Sequence, residues 1–278
     1  SDADSHLYVQ EILNGYFQER EEIEPYNIIF QEYYYPAHDL ESMVFLSCLN
    51  NIYQERPFRY DGVIVYKEDL GDDRRYTAIL NRIMGKRIPV VILQKCRDDT
   101  QYSCLVGPDE ELAGKMAAEL MDKMTVGEGN IKIFSQDLPF ADKNAAVFAE
   151  ELKCRRPELR CSITALKLNE EQSERIAREL SEGEYPSGIY FTCARHTAAF
   201  LRIDPKIRRN AGTVIDKKPF SVGYQALKLL FNNIVKNEKL PVRYSVLPRI
   251  IIQSNSYVYY RRRKEKYGSS EETEYSIY

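Results

Sequence analysis

The chain has 278 residues, of which 44% are hydrophobic, and its 39 basic and 42 acidic side chains give a net charge of −3. This length favours two domains, and the nearly balanced charge lacks the basic footprint of a nucleic-acid-binding domain. The six cysteines and three histidines are scattered without metal-ligand spacing, so we expect no metal and no cofactor. We interpret the cysteines as reduced, mostly buried thiols, which favours a cytoplasmic location. Because no apolar run reaches roughly 18 residues and the polar start lacks a signal-peptide core, we expect no contact with a membrane.

Helix-like and strand-like segments alternate along almost the whole chain. Apolar residues at helical spacing predict helices over residues 7–22, 40–54, 76–85, 110–124, 143–155, 170–181, 195–202 and 220–235. Short apolar or β-branched runs predict strands over residues 26–34, 60–66, 88–93, 103–106, 130–134, 161–167, 188–192, 213–215 and 249–253. Strands that alternate with helices of this length are typical of βαβ units, parallel sheets and right-handed crossovers.

The βα pattern occurs twice, which predicts an α/β protein of two Rossmann-like lobes with parallel sheets, joined by a hinge of several strands. We expect one lobe to combine residues 1–107 with 216–244 and the other to combine 108–215 with 245–256. Residues 257–278 are a charged, tyrosine-rich extension, either a solvated tail or a docking segment for a partner. Ligands of open α/β sheets bind beyond the carboxyl ends of the strands, so the predicted site is the cleft between the lobes.

Signatures of catalysis are missing from the sequence. It contains no glycine-rich phosphate loop and no zincin, lipase or kinase motif. Cys193 and His196 follow a predicted strand and would form a thiol nucleophile and its base only with a lowered thiol pKa and an orienting partner. The interpretation we favour is a helix start at the rim of the cleft, with side chains that contact a ligand. We therefore expect a binding protein and not an enzyme.

Two glycines and two aspartates lie near the predicted crossovers between the lobes. Gly114 and Gly223 interrupt helical patterns at a cost of ~1 kcal/mol each, which close packing of a helix on a sheet would explain; a tolerated surface glycine is the alternative. Asp109 and Asp216 each follow a strand, where an aspartate caps the next helix or accepts hydrogen bonds from ligand hydroxyls. We favour capping and hinge roles for Asp109 and ligand contact for Asp216.

Four segments resemble one protein family in their order and spacing. They read YDGVIV at residues 60–65, RIPVV at 87–91, LVGPDEELAGKMAA at 105–118 and TVIDKKPFSVGYQA at 213–226, and IIIQSN at 250–255 fits the usual final strand. Together they resemble the effector-binding core that lac-repressor-family regulators share with periplasmic sugar receptors. The resemblance covers most of the chain, up to about Asn255.

The resemblance implies a type I periplasmic-binding-protein-like fold and a small, sugar-like effector bound between the lobes. It implies the sensing core of a transcriptional regulator, a homodimer that reaches operator DNA through a headpiece N-terminal to Ser1. The alternative is an extracytoplasmic solute receptor that serves a transporter or a sensor kinase. Phe140 would stack on a sugar face or pack in the core. The candidate ligand contacts are Asp4, His6, Phe140, Asn144, Arg195, His196, Asp216 and Lys217.

The sequence departs from the family at three ligand positions. Asn144 stands where the family has an arginine that grips the sugar, Lys217 replaces a glutamine, and Gln94 replaces a frequent aspartate. These exchanges weaken the assignment of an ordinary hexose or pentose as the ligand. A strand before the first helix, and a strand and helix near residues 203–209, also have no counterpart.

Overall fold

A computed structural model describes residues 3–34, 43–55, 59–66, 74–137, 142–166, 170–193, 196–197, 200 and 213–252 of the chain. The helices of these segments are α1 (Ala3–Glu22), α2 (Met43–Gln54), α3 (Arg74–Met84), α4 (Glu110–Met124), α5 (Lys143–Arg155), α6 (Glu170–Glu182) and α7 (Pro219–Lys236). The bounds predicted for α4 and α5 are confirmed to the residue. None of these helices combines the length and the apolar character that a membrane span requires.

The strands form two parallel sheets and one antiparallel pair. They are β1 (Val63–Val65), β2 (Val90–Leu93), β3 (Cys104–Pro108), β4 (Gly129–Gln136), β5 (Leu159–Leu166), β6 (Gly188–Phe191), β7 (Thr213–Asp216), β8 (Arg243–Val246) and β9 (Arg249–Ile252). The first lobe has the order β1–β2–β3–β8, the second has β5–β4–β6, and β7 pairs with β9 in antiparallel register. This arrangement confirms the predicted α/β fold of two lobes with parallel sheets.

Strand β2 shows why the first lobe reads as continuous apolar runs in the sequence. Val90 and Ile92 pack with α2 and α3 on one face of the sheet. Val91 and Leu93 point to the other face and pack with residues of α1 and α7. Since alternate side chains of a strand face opposite sides, a strand covered by helices on both sides is apolar at every position.

The glycines predicted to permit close packing lie between helices and not between a helix and a sheet. A Cβ atom on Gly223 of α7 would lie 1.9 Å from the carbonyl oxygen of Ile12 on α1, and one on Gly15 would lie 1.9 Å from that of Phe220. A Cβ on Gly114 of α4 would lie 2.7 Å from the carbonyl oxygen of Asn144 on α5. The predicted close approach is present, but its partner is a helix backbone in each case.

The second lobe is organised around the central strand β4. Ile131 and Ile133 are fully buried and pack with α4 and α5, while Phe134 faces a second cluster that includes Leu166. Gly188 of β6 lies directly against this core, because a Cβ there would be 2.5 Å from the sulfur of Met121. The lobe thus has the same helix–sheet–helix layering as the first.

One strand prediction is wrong, and one strand was not predicted. Residues 27–34 are irregular and follow a short 3-10 turn at Glu24–Tyr26, although Ile28 and Phe30 pack against the cluster around Ile23. Strand β8 is absent from the predictions because its sequence, RYSV, is short and half polar. The helix predicted over residues 195–202 lies mostly outside the described residues, and the extension at 257–278 lies wholly outside them.

Candidate functional site

The centre of the candidate site is the carboxylate of Glu110, the first residue of α4, directly after β3. The preceding residue, Asp109, caps α4 by accepting a hydrogen bond from the backbone N–H of Leu112 at 2.9 Å, which confirms the predicted capping role. This cap fixes the first turn of the helix where the chain crosses from the first lobe to the second. The side chain of Glu110 is 8% exposed there.

Three polar side chains from different parts of the fold meet the Glu110 carboxylate. Lys217, which follows β7, places its Nζ 2.8 Å from Oε2, and Asn144 of α5 donates from Nδ2 to the same oxygen at 3.0 Å. Lys95, which follows β2 in the first lobe, lies with its Nζ 3.9 Å from Oε1. We call these four residues, together with Tyr190, the Glu110 network. It links both lobes and the crossover strand at one carboxylate.

Two lysines keep this buried carboxylate ionised. Burial alone would raise the pKa of Glu110, but the charges of Lys217 and Lys95 and the hydrogen bonds from Lys217 and Asn144 lower it below its ordinary value. The two ammonium groups therefore offset the cost of burying the carboxylate. The network is charged, not neutral, at physiological pH.

Asn144 is fully buried and uses both ends of its amide. Its Nδ2 donates to Glu110, while its Oδ1 accepts a hydrogen bond from the hydroxyl of Tyr190 at 2.7 Å. Tyr190 stacks on Phe148, with ring centroids 4.4 Å apart, and burial raises its pKa so that the hydroxyl stays a donor. Where the resemblance predicts a sugar-gripping arginine, this chain therefore has an amide fixed by Glu110 and Tyr190.

Asp142 and Thr192 connect the end of β6 to the start of α5. Asp142 caps α5 by accepting from the backbone N–H groups of Asn144 and Ala145 at 3.0 and 3.3 Å. Its other oxygen accepts a 2.6 Å hydrogen bond from the Thr192 hydroxyl, and the Thr192 carbonyl accepts from Lys217 Nζ at 3.2 Å. The aspartate just before a helical pattern was a capping signal that our site prediction did not use.

Asp216, predicted as a ligand contact, has both carboxylate oxygens engaged by the protein. Oδ1 accepts from the backbone N–H of Lys218 at 2.8 Å, and Lys218 has a left-handed backbone with φ of 50°. Oδ2 accepts from Nε of Arg249 at 2.7 Å and lies 2.6 Å from its terminal nitrogen Nη2. Asp216 thereby fixes the turn that carries Lys217 to Glu110.

The first lobe contributes Tyr8 and Gln94 to the same region. Burial and the nearby Tyr66, Glu110 and Asp216 raise the pKa of Tyr8 well above its ordinary value, so its hydroxyl is a hydrogen-bond donor. Gln94 follows β2 with φ of 72°, and within the described part of the chain its buried Nε2 has no hydrogen-bond partner. Both side chains offer donors beyond the carboxyl ends of the first-lobe strands.

The structure brings three of the eight predicted contacts, Asn144, Asp216 and Lys217, to this region. His196 is 1% exposed and lies just beyond β6. Phe140 and Arg195 lie outside the described residues, as do the side chains of Asp4 and His6, whose backbone is in α1. The sequence prediction did not include Tyr8, Lys95, Glu110, Asp142, Tyr190 and Thr192.

The cysteines form no disulfide and no metal site with the described residues. All six are free thiols; Cys104 is buried, Cys154 is exposed and the other four are half-buried, so "mostly buried" was too strong. Burial raises the pKa of Cys96 and of Cys104 to about 11, which disfavours the nucleophilic thiolate. Across the described segments, no group of three or more His, Cys, Asp or Glu side chains is placed to hold a metal ion.

No protein-family model matches the sequence, and no curated protein matches it in a sequence search. Solved structures do match the fold. A sugar ABC transporter's sugar-binding protein from Bacillus halodurans has a TM-score of 0.73 at 17% identity, covering 92% of this chain and 97% of that one. A glucose-galactose binding protein from Geobacillus stearothermophilus has 0.71 at 18%, covering 89% and 93%. A protein described as a LacI transcriptional regulator from Bacteroides fragilis has 0.68 at 14%, covering 91% and 94%. The chain therefore has the periplasmic-binding-protein-like fold that sugar-binding proteins share with LacI-like regulators.

Proposed function

We propose that the chain binds a small, sugar-like polar molecule between its lobes and serves as the sensing core of a LacI-like regulator. The observation that carries the proposal is the Glu110 network, in which Lys95 of the first lobe, Asn144 of the second and Lys217 of the crossover meet at one carboxylate. Ligands of open α/β sheets bind beyond the carboxyl ends of the strands, where these residues lie. The structural neighbours named for sugar binding support the class of ligand.

Sensing requires that the ligand bind one closure of the lobes more tightly than another. A ligand that contacts Lys95 and Glu110 together would stabilise the closed arrangement, because these residues belong to different lobes. Lys217 leads into α7, which packs closely on α1 through Gly15 and Gly223. Closure at Glu110 is therefore transmitted to the helix pair on the outer face of the first lobe.

The regulator is favoured over an extracytoplasmic receptor by the free cysteines. Six thiols without a disulfide are typical of a protein in a reducing compartment, so we propose a cytoplasmic location. The fold itself fits both classes equally.

A regulator of this type acts as a homodimer on operator DNA, and sedimentation of the purified chain at micromolar concentration should show a dimer. A monomer at every concentration would contradict the regulator and leave sugar binding untouched.

Ligand binding is tested by thermal unfolding and titration calorimetry against monosaccharides, sugar acids and polyols. The chain has no tryptophan, so calorimetry replaces tryptophan fluorescence. A ligand at a hundred times its Kd should stabilise the folded state by ~2.7 kcal/mol. Stabilisation should be lost in Lys95→Gln and kept in Lys123→Gln, a matched change at the far end of α4. If no sugar or sugar derivative binds while another metabolite class does, the proposed ligand class is wrong.

A further inference from the structure

The amino ends of the first-lobe strands form the edge of the sheet that lies away from the cleft. Because β1, β2, β3 and β8 are parallel, these ends share one edge, and the Glu110 network lies beyond the opposite edge. Helix α3 leads into β2 and helix α7 leads into β8, so both helices end at this edge. Arg87 and Ser103, which precede β2 and β3, line one open cavity of about 360 Å³ with Asn233 and Leu240, which precede β8. The ends of α3 and α7 therefore meet at the same surface.

Exposed cations from two distant parts of the sequence gather at this edge. They are Arg82 and Lys236 in the last turns of α3 and α7, Lys86 and Arg87 between α3 and β2, and Lys239 between α7 and β8. We call these five residues the basic edge. The charged groups of Arg82 and Lys86 each lie 5.9 Å from the ring centroid of Tyr53, so the end of α2 borders the same surface.

Acidic residues offset only part of this positive charge. Glu238, in the loop after α7, is exposed, and its carboxylate accepts from Nδ2 of Asn232 at 3.1 Å. Asp98 lies near Tyr102 together with Arg243, a further cation at the start of β8, so we leave both charges out of the set. Among the described residues, no cation of the basic edge forms an ion pair with a carboxylate. Five cations less the Glu238 carboxylate leave an excess of four positive charges.

Ordinary structural roles account for little of this excess. Cations in the last turn of a helix stabilise its dipole, but only two of the five lie there, and the other three lie in the loops that follow. Exposed cations of the second lobe have a different environment: Lys115, Lys123 and Arg155 of α4 and α5 each pair with a glutamate four residues earlier. The net charge of −3 for the whole chain therefore conceals a local excess of the opposite sign.

We propose that the basic edge binds the phosphate backbone of duplex DNA, independently of base sequence. Charge complementarity favours this partner, because DNA carries one negative charge per ~1.7 Å of helix axis and so offers a phosphate to every cation along an extended edge. A folded acidic protein would have to present a carboxylate at each matching position. Since phosphate contacts carry no sequence information, this contact positions the core on DNA without selecting the site.

This inference goes beyond the proposed ligand sensing and does not depend on it. The cleft and the basic edge lie at opposite ends of the same strands, so a ligand and DNA do not compete for the same residues. The core itself, and not only a separate DNA-binding domain, then contributes to the affinity for DNA.

The test is fluorescence anisotropy of a labelled duplex of ~20 base pairs, titrated with the whole chain from about 25 to 200 mM KCl. We expect a Kd on the order of 10 µM at the lowest salt concentration, and a slope of about −3 to −4 in a plot of the logarithm of the binding constant against that of the salt concentration. Two duplexes of unrelated sequence should bind with the same Kd.

A double substitution distinguishes the basic edge from charge in general. Lys86→Gln combined with Lys239→Gln should weaken binding about tenfold at ~25 mM KCl and make the salt slope shallower by about two. The matched control is Lys123→Gln combined with Lys153→Gln on exposed positions of the second lobe, which changes the net charge equally. The control should leave the Kd and the slope nearly unchanged.

Three outcomes would overturn the inference. The first is the absence of DNA binding at ~25 mM KCl, where phosphate contacts are strongest. The second is equal weakening by the two double substitutions, because the attraction would then follow the net charge of the chain. The third is tighter binding of poly-L-glutamate than of DNA at equal charge concentration, which would identify an acidic protein as the partner. Sugar binding in the cleft, tested separately by calorimetry, stands or fails independently of all three.

Discussion

Glu110 and Glu111 are adjacent residues in the first turn of α4, and each meets two lysines. Glu111 binds Lys115 at 2.9 Å and Lys143 at 2.8 Å on the outer face of the helix, where its side chain is 45% exposed. Glu110 binds Lys217 and Lys95 on the cleft face, where it is 8% exposed. One helical turn therefore carries a carboxylate with two lysines on its exposed face and the same set of charges on its buried face.

The difference teaches that a carboxylate that meets two lysines has different consequences on an exposed face and on a buried one. Hydrogen bonds from Lys115 and Lys143 lower the pKa of Glu111 to about 2, yet on an exposed side chain water and salt screen the gain. For Glu110, burial opposes ionisation and the lysines overcome it, so loss of either side leaves an uncompensated charge inside the protein. The cleft face should be sensitive to substitution and the outer face tolerant.

The largest expected effect is from Glu110→Gln. The amide keeps the shape of the side chain but removes the negative charge that pairs with the Lys217 ammonium group. We therefore expect the free energy of unfolding to fall by ~3 kcal/mol. This value is at the low end for broken buried ion pairs because both lysines are partly exposed. Urea denaturation at pH 7 measures it. Glu111→Gln is the matched control on the outer face and should leave the denaturation midpoint nearly unchanged. If the two substitutions lowered the free energy of unfolding equally, the proposed difference between the cleft face and the outer face of α4 would be wrong.

A substitution at Gly114 tests how closely α4 packs on α5, independently of charge. A Cβ there would meet the Asn144 carbonyl oxygen at 2.7 Å, a backbone atom that cannot rotate away. Gly114→Ala should cost about 1–2 kcal/mol, since overpacking outweighs the helix propensity that alanine gains. Lys115→Ala, one residue further on the exposed face, should change stability little in the same urea assay. A stabilising Gly114→Ala would show that α4 and α5 can separate freely.

The sequence predicted the buried parts of this molecule better than its site. Strand β2 follows from a continuous apolar run, and helices α4 and α5 follow from apolar residues at helical spacing, because the faces that an element buries determine where its apolar residues lie. Residues 27–34 have strand composition but form no ladder, and composition alone cannot supply a hydrogen-bonding partner. Strand β8 was missed for the opposite reason: it pairs with β3 despite a half-polar sequence.

For the site, sequence positions alone could not reveal which groups meet. Asn144 and Lys217 were found through the resemblance, and the structure adds that both contact Glu110. Glu110 itself reads as an ordinary acidic residue in the first turn of a helix, as does Glu111 beside it. Only the orientation of α4 against β7 and α5 distinguishes the two, and that orientation depends on long-range packing such as the contact at Gly114.

The helix caps offer a smaller test of the same comparison. Asp142 accepts from two backbone N–H groups and from the Thr192 hydroxyl, and so joins α5 to β6, whereas the Asp109 carboxylate accepts from Leu112 of its own helix. Asp142→Ala should cost about 1.5 kcal/mol and Asp109→Ala about 1 kcal/mol. Double-mutant cycles that combine Thr192→Val with each aspartate substitution should distinguish the two caps. We expect a coupling free energy between Thr192 and Asp142 and none between Thr192 and Asp109. Absence of coupling at Asp142 would mean that the bond to Thr192 adds nothing to the cap.

The finest distinction between the two faces is their response to pH and salt. The pKa of Glu110 is lowered in the folded state, so its charge contributes stability above the unfolded pKa of ~4.3, and that contribution is lost as the pH falls through the folded value. The stability gap between the unmodified chain and Glu110→Gln should therefore shrink as urea denaturation is repeated from pH 7 down to pH 3. Glu111 titrates with the same sign, but its pairs are exposed, and 0.5 M salt should remove most of its pH dependence while leaving that of Glu110. A gap for Glu110→Gln that stays constant with pH would mean that the pKa of Glu110 is the same in the folded and the unfolded chain. The lysines would then only balance the effect of burial, and the lowered pKa on which the comparison with Glu111 rests would be wrong.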